Sequence, residues 1–400
     1  MSDQNIPTIA GGSRPRRILT FGLLASLCLS ACSPPGIKPI VASGHGSTTQ
    51  LATEKGPHHN VPPYAFDTAE EAGVDQHCIA HIMAANLLTR NGSPAIEMSI
   101  NDAHGAAYLS PAQGILGVFD SREIELPMQD SIEMETVSQH VTTYFTKADH
   151  IQIAQGFASD VDAIKLGWVG RDRVAGEIPV GILGFDVLGN YDVLLDMPRQ
   201  RVMFFRPSGA PDCPPLSAWM KDAYQTPLLM AANGQDDLAA VFLNGHPVGM
   251  ELEPGSDVSI IRRADAEAAG VDKAGLGNDD SVRTKSSSVM LGARHRFATV
   301  TIGNWHGHDF DVNIEPALFS LLGLKFFRHR KVLMAFPQGM LFFSNEHADL
   351  LPPDTTRAEP SPISSRLAIT HVNEPPPPTV VTPPAPAAPA PPSPPAANHS

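Results

Sequence analysis

From residue 94 onward the apolar positions recur at intervals of two rather than three or four. Ala95-Ile96-Glu97-Met98-Ser99-Ile100 alternates in this way, and short alternating runs bounded by Gly, Pro and Asn read as β-strands. Two stretches depart from the period. In residues 67–90, Asp67 or Thr68 can cap a helix, Glu70 and Glu71 fall in its first turn, and Ile79, Ile82, Met83 and Leu87 follow at mixed spacing, which predicts a short helix. Arg262 to Ala269 reads as another, ended by Gly270 in the usual stop position. The regions about 119–150 and 271–293 are polar and contain Gly or Ser, and they read as mobile loops. The pattern predicts an all-β protein with few short helices.

The alternation is organised in two copies. Ile182-Leu183-Gly184-Phe185 runs on to Val193-Leu194-Leu195-Asp196-Met197-Pro198, and Leu321-Leu322-Gly323-Leu324 runs on to Val332-Leu333-Met334-Ala335-Phe336-Pro337, 139 residues later with no gap. Upstream, Ile100-Asn101 with Leu109-Ser110-Pro111-Ala112 aligns with Leu243-Asn244 and Leu252-Glu253-Pro254-Gly255, 143 residues later. Repetition of this kind decides architecture before other signals are read, and it predicts two similar lobes. The chain divides into 1–31, 32–66, a first lobe at 67–206, a connection at 207–234, a second lobe at 235–346 and a tail at 347–400.

The repeated pattern resembles the retropepsin-like and pepsin-like aspartic proteases. In that family each lobe carries a strand, an Asp-Thr-Gly loop, a flap, two apolar residues followed by Gly, and a closing hairpin. Ile182-Leu183-Gly184 and Leu321-Leu322-Gly323 match the apolar-apolar-Gly element, and Asn244-Gly245-His246-Pro247-Val248 through Ser256-Asp257-Val258-Ser259-Ile260 keeps the frame around the lobe-two loop. The resemblance covers roughly 92–206 and 236–344, and it implies a two-lobe, duplicated β-barrel architecture with a peptide-binding cleft between the lobes.

The family's acidic words are absent. Where the resemblance places Asp-Thr-Gly, lobe one has Ser110-Pro111-Ala112 and lobe two has Glu253-Pro254-Gly255. Family chemistry needs two carboxylates that share one proton. Ser110 holds no charge, Glu253 is one methylene longer than Asp, and reacting groups tolerate displacements of well under ~1 Å. Pro111 and Pro254 remove both threonine hydroxyls and two backbone N–H groups. The expected floor of the cleft is Ser110, Pro111, Ala112, Glu253, Pro254, Gly255 and Ser256, flanked by Gly184 and Gly323. The reading is a non-catalytic peptide-binding relative of the endopeptidases. The alternatives are an acid endopeptidase using Glu253, alone or with Asp257, and a purely structural envelope protein.

Composition narrows the setting. A net charge of −14 with no basic aromatic stripe argues against nucleic acid as a partner. Arg14, Arg16 and Arg17 precede an apolar run from Ile18 to Leu29, too short to span a bilayer as a helix. It ends in Leu29-Ser30-Ala31-Cys32, which resembles a bacterial lipobox with Cys32 as the lipidated residue. That implies a lipid-anchored protein of the cell envelope, expected at the outer membrane facing the periplasm, with residues 32–66 as a flexible tether. Such a compartment permits a disulfide between Cys78 and Cys213 at the two ends of lobe one; two separate buried thiols are the alternative. His77 and His81 stand at helical spacing without the Glu of a His-Glu-x-x-His zinc site, and no metal or cofactor is expected. Ser110 lacks a Gly-x-Ser-x-Gly elbow. The tail carries no charged residue from Pro375 to Ser400 and reads as a disordered, polyproline-like segment. The partners implied are an extended peptide or envelope protein and, through the lipid, a membrane.

Overall fold

The two copies of the repeat fold into the same series of elements. A computed structural model describes residues 76–346, apart from 91, 170, 171, 221, 286 and 287. The signal segment, Cys32, the tether and the tail lie outside the described residues. Of two compact units, Met1–Ile37 and Lys38–Ser400, the second contains every described residue.

In lobe one the series is strands Ala95–Ile100 and Ala103–Leu109, a long hairpin, strand Pro179–Leu183, the single-turn helix Phe185–Leu188, and the closing strands Asp192–Asp196 and Arg201–Pro207. Lobe two repeats it with Leu238–Leu243, His246–Glu253, a long hairpin, Leu321–Gly323, Leu324–Phe327, Lys331–Ala335 and Met340–Phe343. Local turn chemistry repeats too. Asn101 and Asn244 take positive φ at the same hairpin turn, where Asn pays less strain than most residues.

Six antiparallel strands join the lobes, in the order Ile79–Asn86, Arg201–Pro207, Asp192–Asp196, Lys331–Ala335, Met340–Phe343 and Tyr224–Leu229. The last of these comes from within the connection 207–234. At the centre Leu194 pairs with Leu333, and Val193 and Leu195 pair with Met334 and Val332. Leu194 therefore faces its own counterpart in the repeat, which places the approximate two-fold axis between them. Both faces of this sheet are covered: Met83, Ala85, Val193, Leu195, Val332 and Met334 belong to the main core, while Ala84, Leu194, Met203, Phe205, Leu333 and Phe342 pack with Cys78, Trp219 and Met220. The architecture is the expected all-β one of two repeated lobes, with only short helices among the described residues.

Two local expectations are corrected. Residues 79–86 form a strand, Ile79–Asn86, preceded by a 3-10 turn at Gln76–Cys78, and not a helix. Its buried residues Met83, Ala84 and Ala85 point alternately into two cores, so apolar and polar positions do not alternate there. The two regions read as loops are largely strand hairpins. Ser131–Glu135 with His140–Ile153 makes one, and Asp280–Lys285 with Val289–Ile302 makes the other. The helix after the lobe-two loop is present at Arg263–Ala268, and Gly270 takes the left-handed conformation beyond it. Cys78 and Cys213 are joined by a disulfide.

Candidate functional site

Strand Ala103–Leu109 delivers Ser110, and strand His246–Glu253 delivers Glu253 at its last position. Each runs parallel to an apolar-apolar-Gly strand, Leu109 beside Leu183 and Glu253 beside Gly323. The two glycines let that strand pass against the loop: a Cβ on Gly184 would lie 2.6 Å from the Gln113 carbonyl oxygen, and one on Gly323 would lie 2.2 Å from that of Val258. Matching bonds pin the crossings. Phe185 N–H donates to Gln113 O at 2.6 Å, and Leu324 N–H donates to Ser256 O at 2.7 Å.

Because the lobes repeat about the two-fold, residues at matching positions meet. The Ser110 hydroxyl donates to Glu253 Oε2, and Gly255 N–H donates to Glu253 Oε1 at 2.7 Å. From lobe one, the Ser93 hydroxyl donates to the Gly255 carbonyl at 2.7 Å. Glu253 is 1 % exposed and Ser110 2 %. Burial pushes the Glu253 carboxyl up to about 8; the bonds from Ser110 and Gly255 hold it down only in part, and the charge of Glu251 raises it further. At neutral pH it is mostly protonated. A proton-sharing pair needs a second acid, and the partner here is an alcohol. Asp257 lies half-buried in the loop beyond, whereas the carboxylate whose charge acts on Glu253 is that of Glu251.

The first hairpin closes over this pair. Its tip, residues 136–139, is tied into a turn by Thr136, whose hydroxyl donates to Gln139 O and accepts from Gln139 N–H. The tip then reaches lobe two. Leu318 N–H donates to Val137 O at 2.8 Å, and Ser288 N–H donates to Ser138 Oγ at 3.1 Å. Val137, 2 % exposed, packs with Ile260, Met290 and Leu321, against which Ala112, Val258 and Phe319 also lie. What remains above Ser110 and Glu253 is a void of about 40 Å³, room for about one water by volume.

Beside the closed hairpin runs a groove of about 1080 Å³ lined by both lobes. Part of one wall is Glu133–Glu135 of strand Ser131–Glu135, which among the described residues is the edge of its sheet and pairs with His140–Ile153. Acids outnumber bases on the walls: Glu133, Glu135, Asp186, Asp236 and Glu251 against Arg206 and Arg262. Both arginines are engaged. Arg262 makes two bonds to Asp265, at 2.6 and 2.8 Å. Arg206 donates to Asn190 O and lies over the Tyr191 ring. Burial first, and then the charge of Glu135, push the Glu251 carboxyl up to about 7; burial alone dominates at Asp186, also raised to about 7. Behind Glu251 sits Asp237, 0 % exposed, with neither carboxyl oxygen bonded by another residue. Burial and then the charge of Glu251 hold it well above the ordinary carboxylate range.

Sequence reading missed Val137, Asp237 and Glu251. A signal for Glu251 existed, since residues two apart on a strand share a face and Glu251 precedes Glu253 by two. Val137 stands as an apolar residue within a polar turn, a weak signal. The histidine pair does not share a helix face: His77 lies in the 3-10 turn and His81 on the strand, stacked on Tyr191 at 5.9 Å between centroids. Among the described residues the one cluster of three metal-type donors is His77, Cys78 and Cys213, and its two sulfurs are bonded to each other, so neither offers a thiolate.

Residues 239–329 match the family described as "gag-polyprotein putative aspartyl protease". Among solved structures the chain is similar to the basic 7S globulin of soybean, at 10 % identity and a TM-score of 0.41, over 67 % of this chain and 95 % of that one. No curated protein sequence matches.

Proposed function

From an aspartic-protease-like chain, we propose a peptide-binding protein of the cell envelope that does not cut what it binds. The observation that carries the reading is the Ser110–Glu253 pair: one carboxyl, protonated at neutral pH, bonded to an alcohol and a backbone amide. Family chemistry needs one carboxyl ionised and one protonated across the same water, and this pair supplies one titrating group. Binding does not need those acids. An extended peptide can add as a strand to an open sheet edge, with backbone hydrogen bonds for affinity and pockets for alternate side chains. Strand Ser131–Glu135 offers such an edge beside the groove. Val137 lines the small space left above the pair, so a ligand has the larger groove beside it to follow. Lipid on Cys32 would hold the protein at the outer membrane, facing the periplasm.

A second reading, an acid endopeptidase, draws on the raised Glu253, since a carboxyl titrating near neutrality can serve as a general acid or base. One experiment separates the two. The full chain and its Glu253→Gln variant are incubated with a diverse peptide library between about pH 3 and about pH 7, and products are read by mass spectrometry. Intact peptides in both samples are expected. Cleavage by the parent that disappears in the variant makes Glu253 catalytic and overturns the proposal. The anchoring is read by fractionating cells that carry Cys32→Ser: the chain should leave the membrane fraction, and its retention there would count against a lipid anchor.

A further inference from the structure

We propose that His77, Cys78, Asp212 and Cys213 form a zinc site that becomes available when the Cys78–Cys213 bond is reduced. Bridged, the sulfurs offer no thiolate. Reduced, the two thiolates take a zinc ion together with the His77 imidazole and the Asp212 carboxylate. None of the four residues lines the groove, so the site is separate from peptide binding.

Two adjacent pairs supply the donors. His77-Cys78 ends the 3-10 turn before strand Ile79–Asn86, and Asp212-Cys213 follows the closing strand Arg201–Pro207. His77 Nε2 lies 3.4 Å from Cys78 Sγ and 3.4 Å from Asp212 Oδ2. Ligands held about 2.0–2.3 Å from a tetrahedral zinc ion lie roughly 3.3–3.8 Å from one another. One nitrogen therefore already stands at ligand spacing from a sulfur and from an oxygen, and it lies within 4.8 Å of both sulfurs. A structural disulfide needs neither neighbour. Backbone bonds hold both pairs without the bridge. Ser208 N–H donates to Cys78 O at 2.7 Å, Cys213 N–H donates to Ala210 O at 3.0 Å, and Ile79 pairs with Pro207. The cysteine Cα atoms are 5.6 Å apart, near enough for side-chain rotation to set the freed sulfurs at ligand spacing.

Reduction starts at Cys213, which is half-buried, whereas Cys78 is 0 % exposed. A thiolate of a dithiol reductant attacks Cys213 Sγ, the S–S bond breaks, and Cys78 leaves as a thiolate. The reductant's second thiolate then displaces Cys213 and departs as a cyclic disulfide, so two electrons reach the protein. Zinc binds both cysteines as thiolates, and the protons they would otherwise carry pass to solvent. Thiolate and imidazole suit zinc, while calcium and magnesium take oxygen ligands. His77 and Asp212 are exposed and give the ion a way in from solvent. Cys78 packs with Phe205 and Trp219, which close the site on its inner side.

The test uses the full chain reduced by a phosphine, which brings no thiol to compete for metal. Zinc is measured by competition with a chromophoric chelator. The reduced parent should bind about one more zinc per chain than a Cys78→Ser/Cys213→Ser variant treated alike. That variant keeps Cys28 and Cys32, so zinc taken by those thiols cancels in the difference. Cobalt in place of zinc should give the strong visible absorption of a tetrahedral thiolate site. His77→Ala and Asp212→Asn leave the bridge intact, and each should weaken zinc binding by about tenfold or more. Circular dichroism follows the reduced chain. If reduction loosens the fold, zinc should restore the spectrum of the bridged chain, and failure to restore it counts against the site. Binding no greater than in the double variant, or binding that both single substitutions leave unchanged, overturns the proposal.

Discussion

An ordinary glutamate gives up its proton near pH 4.5, whereas enclosure beside Ser110 keeps Glu253 protonated up to about 8. Between those values the folded chain holds a proton that the unfolded chain has lost. Stability must therefore fall as pH rises through that window, by up to ~1.4 kcal/mol per pH unit for a single group. Burial raises Glu251, Asp186 and Asp192 to about 7 and Asp237 well above its usual range, all with the same sign. Asp311 has the opposite sign. Its bond from Arg296 leads in holding it below 3.8, so its contribution is lost only in stronger acid. Calorimetry should then give a higher Tm near pH 5 than near pH 8. Glu253→Gln keeps the side-chain shape and cannot ionise, so the fall should be shallower in that variant. An unchanged slope would mean that Glu253 does not titrate in this window.

At the scale of elements, the hairpin tip is a clasp that lobe one places on lobe two. Its hold includes a buried valine, a backbone bond and a bond to a serine hydroxyl. Val137→Ala removes buried methyl groups at a cost of roughly 1–3 kcal/mol. Most of that should appear as local opening, because Val137 is the tip's buried apolar anchor on lobe two. Hydrogen exchange in residues 131–145 is expected to quicken while that of strand Ala103–Leu109 stays as before; a uniform change through both would show that the tip is not a separate unit. How far these elements were legible depended on whether one face met water. Ala95–Ile100 and the closing hairpins read correctly from period and repeat. Ile79–Asn86 read as helix because Met83, Ala84 and Ala85 are buried on alternate faces and gave no alternation. The long hairpins read as loops because strands such as His140–Ile153 carry Thr, Lys, Asp and His on their exposed side, and only pairing with a partner makes them strands. Ser110 and Glu253 were found because the repeat assigns them matching positions. Asp237 and Glu251 were not, because their coupling arises from a hairpin that brings them together and from burial that local sequence does not reveal.

In the whole molecule, duplication does more than double a lobe. The two-fold between Leu194 and Leu333 builds one sheet from both halves, and its outer face buries Cys78 with Phe205 and Trp219 on one side and Leu333 and Phe342 on the other. The Cys78–Cys213 bridge thus lies where the start of the described chain, the end of lobe one and the shared sheet converge. It spans 135 residues, and in the chain-entropy picture cross-linking so long a loop stabilises by about 4–5 kcal/mol, chiefly by restricting the unfolded state. Among the described residues strand Ile79–Asn86 is the sheet's edge, paired to Arg201–Pro207, so it is also the strand most easily peeled away once the bridge is gone. Replacing both cysteines by serine should lower the guanidinium midpoint by an amount equivalent to roughly 2–5 kcal/mol. If the shared sheet makes the lobes unfold together, the whole transition should move as one, in fluorescence and circular dichroism alike. Coincident midpoints for the parent and the double variant would assign the tie between the lobes to the sheet alone. A split transition, with residues 76–86 released first, would show that the bridge holds the edge strand rather than the molecule.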